Sequence, residues 1–260
     1  MATQSGRIAL VTGGGRGIGR AISMMLAEHG ATVAINYRKD RESAEQTMQL
    51  IIEAGGAATI HQGSTDVPEE CRSLIDDVVK HHGGIDIMVV NGGIASRGRS
   101  VADTDEQEVW QLVATHALGP HQLCRAALPH MRGRGRADIV FISSVATNSM
   151  SANGAPYNMG KAAMEALAFT LAKEERPNNI HVNVVAPGLV ETDMGVRLAR
   201  AITGRREMDD LRSMDADAPF GRVCQPDDVA NAVVFFCSAE AGYMTGQRIE
   251  VDGGGSVARR

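Results

Sequence analysis

The stretch Thr12-Gly13-Gly14-Gly15-Arg16-Gly17-Ile18-Gly19 decides how the rest of the chain is read. It ends a run of strand length, Arg7 to Thr12, and opens a helical pattern, Ile18 to His29. Glycines at such a junction let the backbone turn sharply and approach a pyrophosphate, whose charge the N-terminus of the following helix can hold. A purely structural turn would use the same residue types, so the glycines alone establish no ligand. Their place at the first β–α junction favours the binding reading.

Outward from this turn, short apolar runs alternate with longer amphipathic ones, the pattern of repeated βαβ units. Strands are predicted at Arg7 to Thr12, Thr32 to Tyr37, Ala57 to Gln62, Ile85 to Asn91, Ala137 to Ser143, His181 to Ala186 and Arg248 to Val251. Helices are predicted at Ile18 to His29, Arg41 to Glu53, Glu69 to His82, Glu106 to Met131, Tyr157 to Arg176 and Pro226 to Cys237. The expected fold is α/β: a doubly wound parallel sheet of about seven strands with helices on both faces, one domain over residues 1–260. The least patterned stretch, residues 189–219, is the candidate substrate lid. The basic run Arg132, Arg134 and Arg136 is expected to be a solvated connecting loop rather than an anion site.

Composition agrees. With 43% hydrophobic but only 3% aromatic residues, the core must be aliphatic, as in sheets covered on both faces. A net charge of -5 gives no general attraction to nucleic acid or anionic membranes. Cys71, Cys124, Cys224 and Cys237 lie far apart, with no CxxC pair and no zinc-ligand spacing, so reduced thiols and no metal are expected. No basic leader with an apolar run and no membrane-length apolar stretch is found, so a cytoplasmic location is expected.

Four further segments fall at strand ends or on the helix between them. Asn91-Gly92-Gly93 follows the fourth strand, and Ser144 follows the fifth, ahead of Tyr157-Asn158-Met159-Gly160-Lys161. Pro187 and Gly188, with Val190 and Thr192, follow the sixth, and Asp252-Gly253-Gly254 follows the last. With the TGxxxGxG spacing of the first turn (Gly13, Gly15, Arg16, Gly17, Ile18, Gly19), the chain resembles the short-chain dehydrogenase/reductase family over nearly its whole length. The resemblance implies a Rossmann-type domain and hydride transfer between a nicotinamide cofactor and a carbonyl or alcohol carbon. It also implies Ser144, Tyr157 and Lys161 as catalytic residues, and a homotetramer packed through the helices around Glu106 to Met131 and Tyr157 to Arg176.

Elementary chemistry supports the catalytic assignment. Tyr157 and Lys161 stand one helical turn apart on one face, so an ammonium can lie near the phenol and favour its ionised form. A phenol with an ordinary pKa near 10 is a poor acid or base at neutral pH, and Lys161 is expected to supply a downward shift. Ser144 would hydrogen-bond the substrate oxygen. An isolated Tyr four residues before a Lys would be an ordinary helix pair; the company of Ser144 and the glycine-rich turn favours catalysis.

Two positions depart from the family pattern. His116 stands where the family usually has an Asn that helps hold a water linking the lysine to solvent. It is either a relay member that titrates near neutral pH or a packing residue. Ser64-Thr65 stands where the family commonly has Asp-Val beside the adenine, so that contact falls to Ser64 or to Asp66.

Cofactor choice rests on charge after the second strand. Enzymes that use NAD typically carry an acidic residue there that repels a 2′-phosphate. Here Tyr37 and Arg38 occupy the place and Arg16 lies in the first turn, so two guanidinium groups can converge on a phosphate dianion. NADP(H) is therefore expected, with a small-molecule carbonyl or alcohol as substrate. The favoured activity is ketone reduction, similar to that of 3-oxoacyl-[acyl-carrier-protein] reductases. Alternatives are an alcohol, steroid or polyol dehydrogenase of the same family, or a dinucleotide-binding protein without turnover.

Overall fold

A computed structural model describes residues 3–204 and 207–255, excepting the side chains of 201 and 202. Seven parallel strands run β1 (Ile8–Val11), β2 (Thr32–Tyr37), β3 (Ala57–Gln62), β4 (Ile87–Val90), β5 (Ala137–Ile142), β6 (Ile180–Pro187) and β7 (Arg248–Val251). Between them lie α1 (Gly17–Glu28), α2 (Arg41–Glu53), α3 (Pro68–His82), α4 (Glu106–Val113), α5 (Gly119–Met131), α6 (Ala146–Ser149), α7 (Ala155–Glu174), α8 (Asp193–Thr203) and α9 (Pro226–Phe236). The spatial order β3-β2-β1-β4-β5-β6-β7 reverses direction between β1 and β4. A crevice for a ligand opens beyond the strand ends at such a reversal.

Because every inner strand is covered on both faces, its residues are apolar without alternation, and the pleat sorts them into two cores. Ala9 and Val11 of β1 face one core with Ile22, Leu26, Val233 and Phe236 of α1 and α9. Leu10 faces the other with Leu74, Val78, Leu123 and Leu171 of α3, α5 and α7. In β5 the same split sends Val140 and Ile142 one way and Ile139 and Phe141 the other.

Three expectations need correction. The helix predicted over Glu106 to Met131 is broken by a wider π turn at Ala114–Leu118, closed by the Gly119 amide bonding to Ala114 O. Pro120 has no N–H to offer the His116 carbonyl four residues back, so regular α bonding fails there. Gly119 also lies so close to the Thr65 carbonyl that any Cβ would sit 1.8 Å from it.

The arginine run is not a solvated loop. Arg132 pairs with Glu175 at 2.5 Å, Arg134 with Asp86 at 2.8 Å and Arg136 with Asp138 at 2.8 Å. All three carboxylates are buried, and a buried carboxylate requires a cation or donors. Burial raises Asp86, but the Arg134 hydrogen bonds, the Ile8 amide and the charge of Arg7 outweigh it and hold the group below its ordinary value. These clamps close the N-terminal ends of the strands, opposite the crevice.

Finally, the stretch 189–219 is more ordered than its composition suggests. Thr192 caps α8 by accepting from the Gly195 amide at 3.0 Å. Ala199, Met208, Leu211 and Val223 form a small core of their own. A parallel bridge between Val190 and Cys224 pins the base of the excursion.

Candidate active site

The glycine-rich turn is stitched to the loop after β4. Thr12 Oγ1 accepts from the amides of Asn91 at 2.9 Å and Gly92 at 3.0 Å, and Asn91 Nδ2 donates to Thr12 O at 2.9 Å. Gly13 and Gly17 both have positive φ. A Cβ on Gly19 would lie 2.1 Å from Gly13 O, so no side chain fits where α1 enters the turn. At the N-terminus of α1, Arg16 makes no side-chain cap, so the first amides of the helix face the crevice with their donors unspent.

Both predicted phosphate-reading cations stand at this end of the sheet. Arg16 is 61% exposed, with Asp40 and Asp193 at 3.8 and 3.9 Å; Arg38 is 44% exposed, with Asp66 at 3.6 Å. Such loose, exposed pairs are worth little and are readily exchanged for a phosphate. The buried Ser64 hydroxyl donates to Asp66, and the Ser64 amide donates to Glu70 Oε2 at 2.7 Å. Ser64 is thus committed to protein partners, and Asp66 is the carboxylate that links it to Arg38. Thr65 serves through its carbonyl, packed on Gly119.

Ser144, Tyr157, Lys161 and His116 come together at the ends of β5 and α7 and on the π turn. Lys161 is buried and donates to Ile142 O at 2.7 Å, with Nζ 5.8 Å from the Tyr157 ring centroid. The His116 ring meets Tyr157 edge-on, centroids 5.2 Å apart. Two glycines make room for it: a Cβ on Gly93 would lie 2.8 Å from His116 Cε1, and one on Gly160 2.9 Å from His116 Cβ.

The charges differ from the sequence expectation. Burial pushes Lys161 down to about 7, against the opposing carboxylate of Glu165. Burial pushes the Tyr157 phenol up, and the Ser144 hydroxyl opposes it. The downward shift expected from Lys161 is absent because the amine is itself desolvated and directed at Ile142 O. His116 is driven down to about 3, by burial first and by Lys161 second, with Ile94 opposing. Its Nε2–H donates to Ile94 O at 2.8 Å, and its buried Nδ1 has no hydrogen-bond partner among the described residues. A neutral His116 at physiological pH replaces the expected titration near neutrality.

Sequence reasoning missed the layer behind Ser144. Glu165 accepts from Ser143 Oγ at 2.5 Å, from Thr147 Oγ1 at 2.9 Å and from Arg248 Nε at 3.1 Å. Arg248 also donates to Ser144 O at 3.3 Å. Glu165 carried one signal, its place one turn beyond Lys161; Arg248 of β7 carried none. Pro187 ends β6, and the Gly188 amide donates to Val251 O at 3.0 Å. A Cβ on Gly17 would meet Thr192 Cγ2 at 3.2 Å, so the loop after β6 closes over the glycine-rich turn.

A family model described as enoyl-(acyl carrier protein) reductase matches residues 13–256. Dehydrogenase/reductase SDR family member 4 of Homo sapiens is 35% identical over 249 residues, 95% of this chain and 87% of that protein. Versicolorin reductase stcU of Emericella nidulans is 36% identical over 257 residues, 96% of this chain and 95% of that protein. Among solved structures, a short chain dehydrogenase from Burkholderia cenocepacia J2315 in complex with NADP is 33% identical with a TM-score of 0.85. That match covers 96% of this chain and 98% of that one.

Proposed function

The chain belongs to the short-chain dehydrogenase/reductase family, and from that premise we propose that it is an NADPH-dependent reductase converting a ketone to a secondary alcohol, with Tyr157 as proton donor. The observation that carries this is the convergence of Tyr157 with Lys161, Ser144 and His116 beside the glycine-rich turn.

The residues present fit the cofactor. The uncapped start of α1 and the side-chain-free turn at Gly13, Gly15, Gly17 and Gly19 suit a pyrophosphate. Arg16 and Arg38 suit a 2′-phosphate. Asn91, Gly92 and Gly93, Lys161, Pro187, Gly188, Val190 and Thr192 would flank the remainder. When bound, the cofactor supplies the hydride. The NADP complex of the Burkholderia relative supports this choice.

The chain's own groups handle the proton and the substrate oxygen. A phenol held above its ordinary value is protonated throughout the neutral range, which suits a donor to a developing alkoxide. Ser144, fixed by Arg248 and the Glu165 network, is placed to donate to the same oxygen and restrain the substrate. Lys161, poised near neutrality, can pass a proton toward the phenol once one has been given up. His116 acts as a positioning residue. Its neutral Nδ1 can accept a hydrogen bond from a water that carries protons toward Lys161, much as an amide oxygen would.

The substrate in this reading is a ketone, with 3-oxoacyl thioesters a leading class. Enoyl reduction fits less well, because family members that perform it tend to space the tyrosine and lysine more widely than the single turn found here. The test is NADPH consumption against a panel of ketones, 3-oxoacyl thioesters and enoyl thioesters, with Tyr157→Phe as the comparison. Turnover of ketones that Tyr157→Phe abolishes is expected. Near-native rates in Tyr157→Phe, or turnover of enoyl thioesters alone, would overturn the proposal.

A further inference from the structure

A second cluster of polar side chains lies at the far edge of the sheet, four strands from β5. His61, near the end of edge strand β3, is only 2% exposed. Across from it on α3, Asp77 and His81 stand one helical turn apart. One ligating atom from each of the three can be chosen so that all lie within 4.8 Å of one another. His61 Nδ1 is 2.6 Å from Asp77 Oδ2, and His81 Nδ1 is 3.3 Å from Asp77 Oδ1. Nothing in the reductase chemistry uses these residues.

We propose that His61, Asp77 and His81 bind a divalent transition cation of the Zn2+ type, which clasps the edge strand β3 to α3. Two imidazoles and a carboxylate are a donor set that suits borderline cations, with a fourth position left to water. Asp77 and His81 are half exposed, which supplies the entry path and room for that water. Tetrahedral ligands around bonds of about 2.0–2.1 Å stand roughly 3.4 Å apart. Rotation of the exposed His81 side chain closes the remaining gap.

The surroundings of His61 add a second, independent argument. Thr59 Oγ1 lies 2.7 Å from His61 Nε2 and 2.8 Å from His82 Nε2. A hydroxyl can both donate and accept, so this chain can run in either direction. Without a cation, His61 Nδ1–H donates to Asp77, His61 Nε2 accepts from Thr59, and His82 donates to Thr59. With a cation on Nδ1, His61 Nε2–H donates to Thr59, and Thr59 donates to His82. The ring therefore gives up its Nδ1 to a metal without orphaning its other nitrogen. Such outer-shell support orients metal-binding histidines generally. The sequence had suggested no metal because only cysteine spacing was informative; His61 and Asp77 are 16 residues apart on different elements.

The test uses metal-stripped, untagged protein titrated with Co2+ and followed by visible absorption, then competed with Zn2+. Expected is one equivalent of Co2+ per chain with a visible band that Zn2+ removes. Zn2+ at about a hundredfold above its Kd should raise Tm by about 5–10 °C. His81→Ala, a change at an exposed position, should lose the band and the shift while keeping the parent's NADPH-dependent turnover. No stoichiometric Co2+ band in the parent, or an undiminished band in His81→Ala, would overturn the site. Turnover with the ketone panel is scored separately, so failure of one proposal leaves the other standing.

Discussion

Replacing Lys161 by Met should abolish turnover and yet make the protein more stable at low pH. Lys161 is buried, and its amine is pushed from an ordinary 10.5 to about 7. The unfolded chain therefore binds the proton more tightly than the folded one, and the parent carries a penalty that is complete below pH 7. The penalty is relieved as pH rises from about 7 toward 10.5. At 1.36 kcal/mol per pKa unit, linkage over this interval gives the parent a gain of about 2.7 kcal/mol between pH 6 and pH 9. Lys161→Met has no such term, so the gap between the two proteins should narrow by that amount. Other titrations, such as those of the buried cysteines, occur in both proteins and cancel. Tyr157 titrates above the window. The assay is urea unfolding of both proteins at pH 6 and pH 9, at one protein concentration and one salt. A difference in stability that does not change with pH, or that grows in favour of the variant toward pH 9, would refute the reasoning.

Arg38→Asp combined with Arg16→Ser removes two exposed cations and adds a repulsive anion. It should shift preference from NADPH toward NADH by about 3–5 kcal/mol in kcat/KM, and equal use of both cofactors by the parent would contradict it. His116→Asn should lower kcat while keeping the shape of its pH profile between pH 6 and pH 9, because His116 is neutral there and Lys161 is the group near neutrality. Unchanged rates would show that His116 only packs. Light scattering at micromolar concentration should give a tetramer: Trp110, Leu118 and Met159 are exposed on the helices expected to pack together, and Ala163, Ala166 and Thr170 continue the Met159 face of α7. A monomeric mass would refute this.

What the sequence by itself determined was what local pattern can carry. The β–α alternation, the glycine-rich turn and the single-turn spacing of Tyr157 and Lys161 depend on neighbours within a few residues. Strand periods and loop glycines record these directly, and most element ends fall within a residue or two of their predicted places. The seven-stranded parallel order and the gathering of Ser144, Tyr157 and Lys161 follow from those signals together with the family resemblance.

Tertiary structure decided whatever depends on burial or on partners distant in the chain. Arg134 meets Asp86 across 48 residues, Arg248 meets Glu165 across 83, and His61 meets Asp77 from a different element. No short-range pattern records such pairs. The protonation of the site belongs here too. Lys161 and His116 are both driven toward neutrality, chiefly by desolvation. That cost arises only when the two β–α layers close over them and exclude water, so residue type and spacing could name the groups but not their charge.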